Sequence, residues 1–220
     1  MYLPPHFIEA RADELRRLIV EHPLGALVTN GPNGLDANHV PFEFDAGTGP
    51  HGILRAHVAR ANPVWNEAAD GDEVLVIFRG AEAYVSPNWY PSKHEAHKQV
   101  PTWNYQVVHV HGRIRIRDDE RFVRGLVARL TRAHEAGTGQ TPWKMGDAPP
   151  DFIDTMLAAI VGIEVEIDRI VGKSKLSQNK EARDRVNAAG ELGKRGKAEI
   201  SGAMLDAAAQ APGGAPPKSR

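Results

Sequence analysis

The sequence predicts an α+β fold, predominantly antiparallel, in which a small β-barrel carries peripheral helices. Three observations point there. About six or seven strand-like runs follow one another, mostly joined by turns rich in Gly, Pro and Asn instead of by helices, which disfavours a parallel doubly wound sheet. Gln106–Arg117 alternates, with Val108, Val110, Ile114 and Ile116 on one face and His109, His111, Arg113, Arg115 and Arg117 on the other. That is the period of a half-buried strand. Helical patterns are confined to the chain ends and the gaps between strand groups.

Taken in order, Ile8, Ala12, Leu15, Leu18 and Ile19 recur at helical spacing before Pro23 and predict an N-terminal helix of about three turns. Leu24–Thr29 reads as a strand, and Asp36–Phe44 as its return. Asn30-Gly31-Pro32-Asn33-Gly34 between them is a turn, because Gly and Asn tolerate positive φ. Ile53–Val58 is a further strand, followed by a short helix from Asn62-Pro63, where proline suits the first helical position. Val74–Phe78 and Ala83–Ser86 predict a hairpin around Gly80. Beyond the alternating strand, Asp118-Asp119-Glu120 opens an amphipathic helix with Phe122, Val123, Leu126, Val127 and Leu130 on its stripe. A helix over Asp151–Ala159 leads into a strand where Ile163, Val165 and Ile167 alternate with Glu164, Glu166 and Asp168, and helical segments continue to about Gln210. The tail Ala211–Arg220, with three prolines and two glycines, is expected to be disordered.

Composition sets the class. The 220 residues are 41% hydrophobic and 25% charged, with 27 basic and 28 acidic side chains. That supports a real core in one ordinary domain with an appendage, and excludes wholesale disorder. No apolar run is long enough for a membrane span and the start lacks a signal-peptide pattern, so a cytoplasmic protein with no membrane partner is expected. The absence of cysteine excludes disulfides, Fe–S clusters and thiolate chemistry. Rossmann, P-loop, nucleophile-elbow and zincin motifs are missing as well.

Several stretches could carry chemistry. Residues 83–105 gather Tyr84, Trp89, Tyr90, Trp103 and Tyr105 with three prolines, which reads as a stiff aromatic loop, neither helix nor regular strand. It suits either a flat, polar-rimmed ligand or the plug of a barrel end. At Leu54–Pro63 a strand end meets a helix start, and Arg60 adds a forked donor for phosphate. Gly172–Lys180 offers lysines, hydroxyls and amides at a similar junction, either for an anion or as a helix start capped by Ser177 or Asn179. His109 and His111 have chelate spacing, with His39 or His57 as a third ligand, although Arg113 and Arg115 on the same face oppose a cation. Residues 169–197 hold nine basic side chains, either a nucleic-acid face or a solvated helical surface without aromatic residues for stacking.

These stretches resemble the PaiB family of FMN-binding negative transcriptional regulators. The resemblance rests on Met1-Tyr2-Leu3-Pro4 with Phe7, His39-Val40-Pro41-Phe42, Ala59-Arg60-Ala61-Asn62-Pro63, Tyr84–Tyr90, Val100–Tyr105 and Lys173–Asn179, and runs to about residue 192. It implies an FMN-binding split β-barrel, related to pyridoxamine-phosphate-oxidase-like and flavin-reductase-like proteins, working as a homodimer with FMN at the subunit interface. The strand pair 36–42 and 53–62 would then contact the flavin. Ala59-Arg60-Ala61 has one basic residue where the oxidases have two, so Lys93 or Lys175 is the expected second charge. The implied cofactor set is Trp89 and Trp103 as ring walls and Ser86, Thr102 and Asn104 for ring edge or ribityl hydroxyls. His57, Arg60 and Asn62 serve the phosphate, Lys175, Ser177 and Gln178 form a second contribution, and His39 lies on the motif strand.

The expected organisation is therefore a split-barrel domain over 1–192, a helical extension over 193–210 and a tail over 211–220. The leading function is transcriptional repression, with DNA contact through residues 169–197. The alternatives are an FMN-dependent oxidoreductase and a haem- or metal-binding barrel using His39, His57 or His109.

Overall fold

A computed structural model describes residues 1–209; Gln210 and the tail expected to be disordered lie outside the described residues. A 3₁₀ turn (Pro5–Phe7) and β1 (Ile8–Glu9) precede α1 (Ala12–Glu21), β2 (Leu24–Gly31), β3 (Gly34–Pro41), β4 (Glu43–Asp45), β5 (Ile53–Ala59) and α2 (Val64–Glu67). Then come β6 (Glu73–Val85), a 3₁₀ turn (Pro87–Trp89), α3 (Pro91–Ala96), β7 (Thr102–Arg117) and α4 (Glu120–Glu135). A 3₁₀ turn (Met145–Asp147), α5 (Pro150–Ala158), β8 (Ile160–Lys175), α6 (Ala182–Lys194) and α7 (Ala198–Ala209) complete the described chain. The strand order is β3-β2-β6-β7-β8-β5-β4, with β1 on β8. The registered pairings are antiparallel. The ladder is not closed among the described residues, and the fold is α+β and mainly antiparallel, as the sequence predicts.

The chain forms two compact units. The first comprises Met1–Leu18, Arg79–Val108 and the described residues from Val171 on; the second comprises Ile19–Phe78 and His109–Ile170.

In the second unit, β2 and β3 pair from Leu24↔Pro41 to Gly31↔Gly34, so the strands run into the turn and leave only Pro32 and Asn33 to close it. Gly34 has φ +95°, a conformation cheap only for glycine. Phe42 and Phe78 meet edge to face at 5.7 Å in the core. A methyl group on Gly112 of β7 would lie 2.2 Å from the Glu166 carbonyl oxygen of β8, so only glycine allows that approach. Asp119 caps α4 by accepting from the Phe122 N–H at 2.7 Å, and the stripe residues Val123, Leu126 and Leu130 are buried, as the helical period requires.

In the first unit, Val85, Tyr90, Leu176, Ala188, Leu192, Ile200 and Met204 form one apolar cluster. α6 and α7 close over the strand ends with small residues.

Four local expectations are corrected. Val74–Phe78 and Ala83–Ser86 are not a hairpin: β6 is one strand through Gly80. The buried positions move from even numbers (Val74, Val76, Phe78) to odd (Ala81, Ala83, Val85) across Arg79-Gly80, and this change of phase imitates a turn in the sequence. Ile8 is not helical but pairs with Lys173 of β8. The aromatic stretch 83–105 is not loop throughout, since it contains the end of β6, α3 and the first four residues of β7. Neither Ser177 nor Asn179 caps α6, whose N-cap is Glu181; Ser177 sits instead at φ +64° in the turn after β8.

Candidate functional site

The second unit holds His39, His57, Arg60 and Asn62. β5 ends at Ala59, and the chain turns through Asn62 into α2. The Asn62 carboxamide is engaged at both ends: Oδ1 accepts from the Val64 N–H at 2.9 Å and Nδ2 donates to Asn38 Oδ1 at 2.6 Å. Arg60 donates from Nη1 and Nη2 to the two Asp118 carboxylate oxygens, at 2.9 and 2.6 Å, and from Nε to the Ala158 carbonyl at 2.8 Å. The pair reinforces its own charges: hydrogen bonding to Arg60 lowers the Asp118 pKa, and Asp118 raises that of Arg60. Asp119, Glu120 and Asp154 line the same hollow, an environment that repels a second anion.

His57 is half-buried in a groove of about 310 Å³, beside Pro41, Val127, Leu130, His134 and Trp143. Its Nδ1 is buried and, among the described residues, has no hydrogen-bond partner. Burial pushes the imidazole below its usual pKa, which keeps the ring neutral at neutral pH. A groove with mainly apolar walls, one tryptophan, Thr131 and Glu135 at its polar side and one unpartnered ring nitrogen has chemistry that suits a flat heteroaromatic ligand. Trp143 and His134 are not among the residues to which the sequence points. Trp143 stands in the Gly- and Thr-rich stretch 137–144, where a lone large aromatic is the available signal. His39 is exposed on β3.

The other nine candidates belong to the first unit and sort by burial. Asn104 and Ser177 are buried with Tyr90: Asn104 Nδ2 donates to Ser177 Oγ at 2.9 Å, and the Tyr90 and Ser177 hydroxyls are 3.1 Å apart. This knot ties β7, the turn after β8 and the segment before α3. Gln178 folds back on its own turn, accepting from the Leu176 N–H at 2.7 Å and donating to the Ser174 carbonyl at 2.6 Å. Ser86 Oγ accepts from the Asn88 N–H at 3.2 Å, and Trp89 lies under the Arg195 guanidinium at 4.6 Å. Lys93 is half-buried on α3.

Thr102, Trp103 and Lys175 are the more accessible group. Lys175 Nζ donates to Thr102 Oγ1 at 2.5 Å, its pKa lowered chiefly by burial. Trp103, 48% exposed, meets the exposed Tyr84 edge to face at 6.4 Å.

His109 and His111 have ring centroids 6.5 Å apart, and His111 Nδ1 lies 3.2 Å from Arg169 Nη2. Among the described residues no group of three or more His, Asp or Glu side chains is placed to hold a metal ion. No described helix is long and apolar enough to cross a membrane. In the basic region, Arg183 binds Glu95 and Glu181, and Lys194 and Arg195 both bind Glu191, so acidic neighbours offset much of its charge.

Comparison with known proteins agrees with the fold. A family model described as "Putative FMN-binding domain" matches residues 1–169, a span that includes His39 through Asn104 and ends before Lys175. The chain is 30% identical over 192 residues to the protease synthase and sporulation protein PAI 2 of Bacillus subtilis, covering 87% of this chain and 89% of that one. Among solved structures, the FAD- and haem-binding protein of Mycobacterium smegmatis superposes with a TM-score of 0.57 at 16% identity, over 82% of this chain and 79% of that one. The flavocytochrome of Azotobacter vinelandii gives 0.55 at 11% identity, over 79% and 72%. The chain belongs to the PaiB family of FMN-binding-domain proteins.

Proposed function

We propose that this chain is a cytoplasmic, homodimeric FMN-binding protein that acts as a negative regulator of transcription, with the flavin at the subunit interface. The groove beside His57 carries the cofactor half of the reading, because it combines apolar walls with an unpartnered imidazole nitrogen inside the family-matched span. FMN, when bound, supplies a redox-capable isoalloxazine ring. His57 would hold the ring edge and Pro41, Leu130 and Trp143 would exclude water from it. Arg60 is the proposed phosphate ligand, on condition that it leaves Asp118.

The regulatory half rests on kinship with a protein named for protease synthesis and sporulation. Direct DNA contact is proposed through the exposed Lys194, Arg195 and Lys197.

The test is a titration of the purified chain with FMN, followed by absorption and flavin fluorescence, with light scattering on the same sample. Saturable binding by a dimer of 24.0 kDa chains supports the reading. No flavin binding removes the cofactor assignment, and a monomer that binds FMN removes the shared site.

A further inference from the structure

We propose that the cleft around Arg185 in the first unit is a binding site for a small organic monocarboxylate. The cleft has a volume of about 760 Å³ and lies among β7, the end of β8, α1, α6 and α7. Arg185, on α6, is only 6% exposed. Among the described residues its Nε is buried without a hydrogen-bond partner, and the hydrogen bond its guanidinium makes is a long one, from Nη1 to the Ala207 carbonyl at 3.5 Å. Neighbouring Asp184 does not neutralise it, because that carboxylate accepts from the Ser92 N–H at 3.0 Å and the Ser92 hydroxyl at 2.6 Å.

The other two arginines of the cleft differ. Arg11 holds Glu9 from Nε and Nη2 at 2.9 and 2.6 Å, and Arg17 holds Glu14 at 2.9 and 2.7 Å. Among the described residues, Arg185 is the arginine of this cleft that pairs with no carboxylate. Such a charge is costly unless something pairs with it. A fold that keeps it at the wall of an open cleft leaves the pairing to a ligand.

The chemistry selects the ligand class. A planar carboxylate matches the guanidinium fork at two points. A phosphate dianion is opposed about twice as strongly as a monocarboxylate by Glu199 and Asp206, the acidic side chains of the cleft besides the arginine-held Glu9 and Glu14. Ser174, 4% exposed, accepts from Gln106 Nε2 at 3.2 Å, which leaves its hydroxyl hydrogen for the carboxylate. Leu176, Ile8 and Ala203 supply apolar wall for the body of the acid, and Gly202 leaves room.

The test is calorimetric titration of the full chain with hexanoate, hexanamide and inorganic phosphate, for the parent, Arg185→Met and Ser174→Ala. Hexanoate should bind saturably to the parent and hexanamide at least about 10-fold more weakly. Arg185→Met should weaken hexanoate at least about 10-fold and, without ligand, melt no lower than the parent, because it removes an unpaired buried charge. Ser174→Ala should weaken hexanoate roughly 2- to 10-fold, which keeps the test intact should Arg185→Met fail to fold. Equal binding of hexanoate and hexanamide, or undiminished hexanoate binding by Arg185→Met, overturns the site. Tighter binding of phosphate than of hexanoate overturns the ligand class. The site is independent of the flavin reading: a chain that binds hexanoate and not FMN overturns only the latter.

Discussion

Asp118 occupies both terminal nitrogens of Arg60. The strand-end arginine nominated for a phosphate is thus already satisfied by an internal anion, and a phosphate must compete with a carboxylate held in two-point geometry. Removing that competitor should tighten FMN. Asp118→Ala is expected to strengthen FMN binding several-fold and leave riboflavin, which lacks the phosphate, unchanged. Arg60→Ala should weaken FMN about 10-fold or more and riboflavin hardly at all. Fluorescence titration of both ligands decides: if neither variant changes the FMN-to-riboflavin ratio, the phosphate lies elsewhere.

Acid should destabilise the protein through its half-buried histidines. Burial depresses the pKa of His57, and of His109 and His111, below the ordinary imidazole value of 6.5. As pH falls through about 6.5, the unfolded chain takes up protons that the native state refuses, so stability is lost from there down to the depressed native pKa values and levels off below them. His57→Phe should flatten part of this slope in denaturant melts between about pH 7 and 5. A slope unchanged by the substitution would show that His57 titrates alike in both states.

Gly112→Ala should destabilise the chain by about 1–3 kcal/mol, because the added methyl meets the backbone oxygen of Glu166 and neither strand can yield locally. Chemical denaturation measures this directly. A neutral substitution would mean that β7 and β8 can separate at this crossing without loss.

If the α6–α7 turn contacts duplex phosphates, binding should weaken steeply with salt. Charge reversal at Lys194, Arg195 and Lys197 should then weaken all duplex sequences alike. Because Glu191 holds Lys194 and Arg195, Glu191→Gln should raise the affinity. Filter binding at two salt concentrations reads both effects, and no binding at low salt would place repression in an indirect route.

Features that depend on neighbours in the chain were legible in the amino-acid order. The alternation of β7, the Asp119 cap and apolar stripe of α4, the turn before Gly34 and the strand leading to Arg60 all rest on periods and caps spanning a few residues. The antiparallel split barrel followed from these, together with family motifs that kept their order. The length of β6 did not, because a shift of inward phase at Arg79-Gly80 looks in one dimension like a turn. Tertiary structure alone decided which polar groups find partners. Arg60 meets a carboxylate 58 residues away, while Asn104 and Ser177 are drawn 73 residues together into a buried knot. His57 keeps an orphaned nitrogen beside a tryptophan no motif had marked, and Arg185 is buried without a counter-charge while the aspartate before it is taken by Ser92. Whether a side chain is satisfied or left waiting for a ligand depends on long-range packing, to which local spacing is blind.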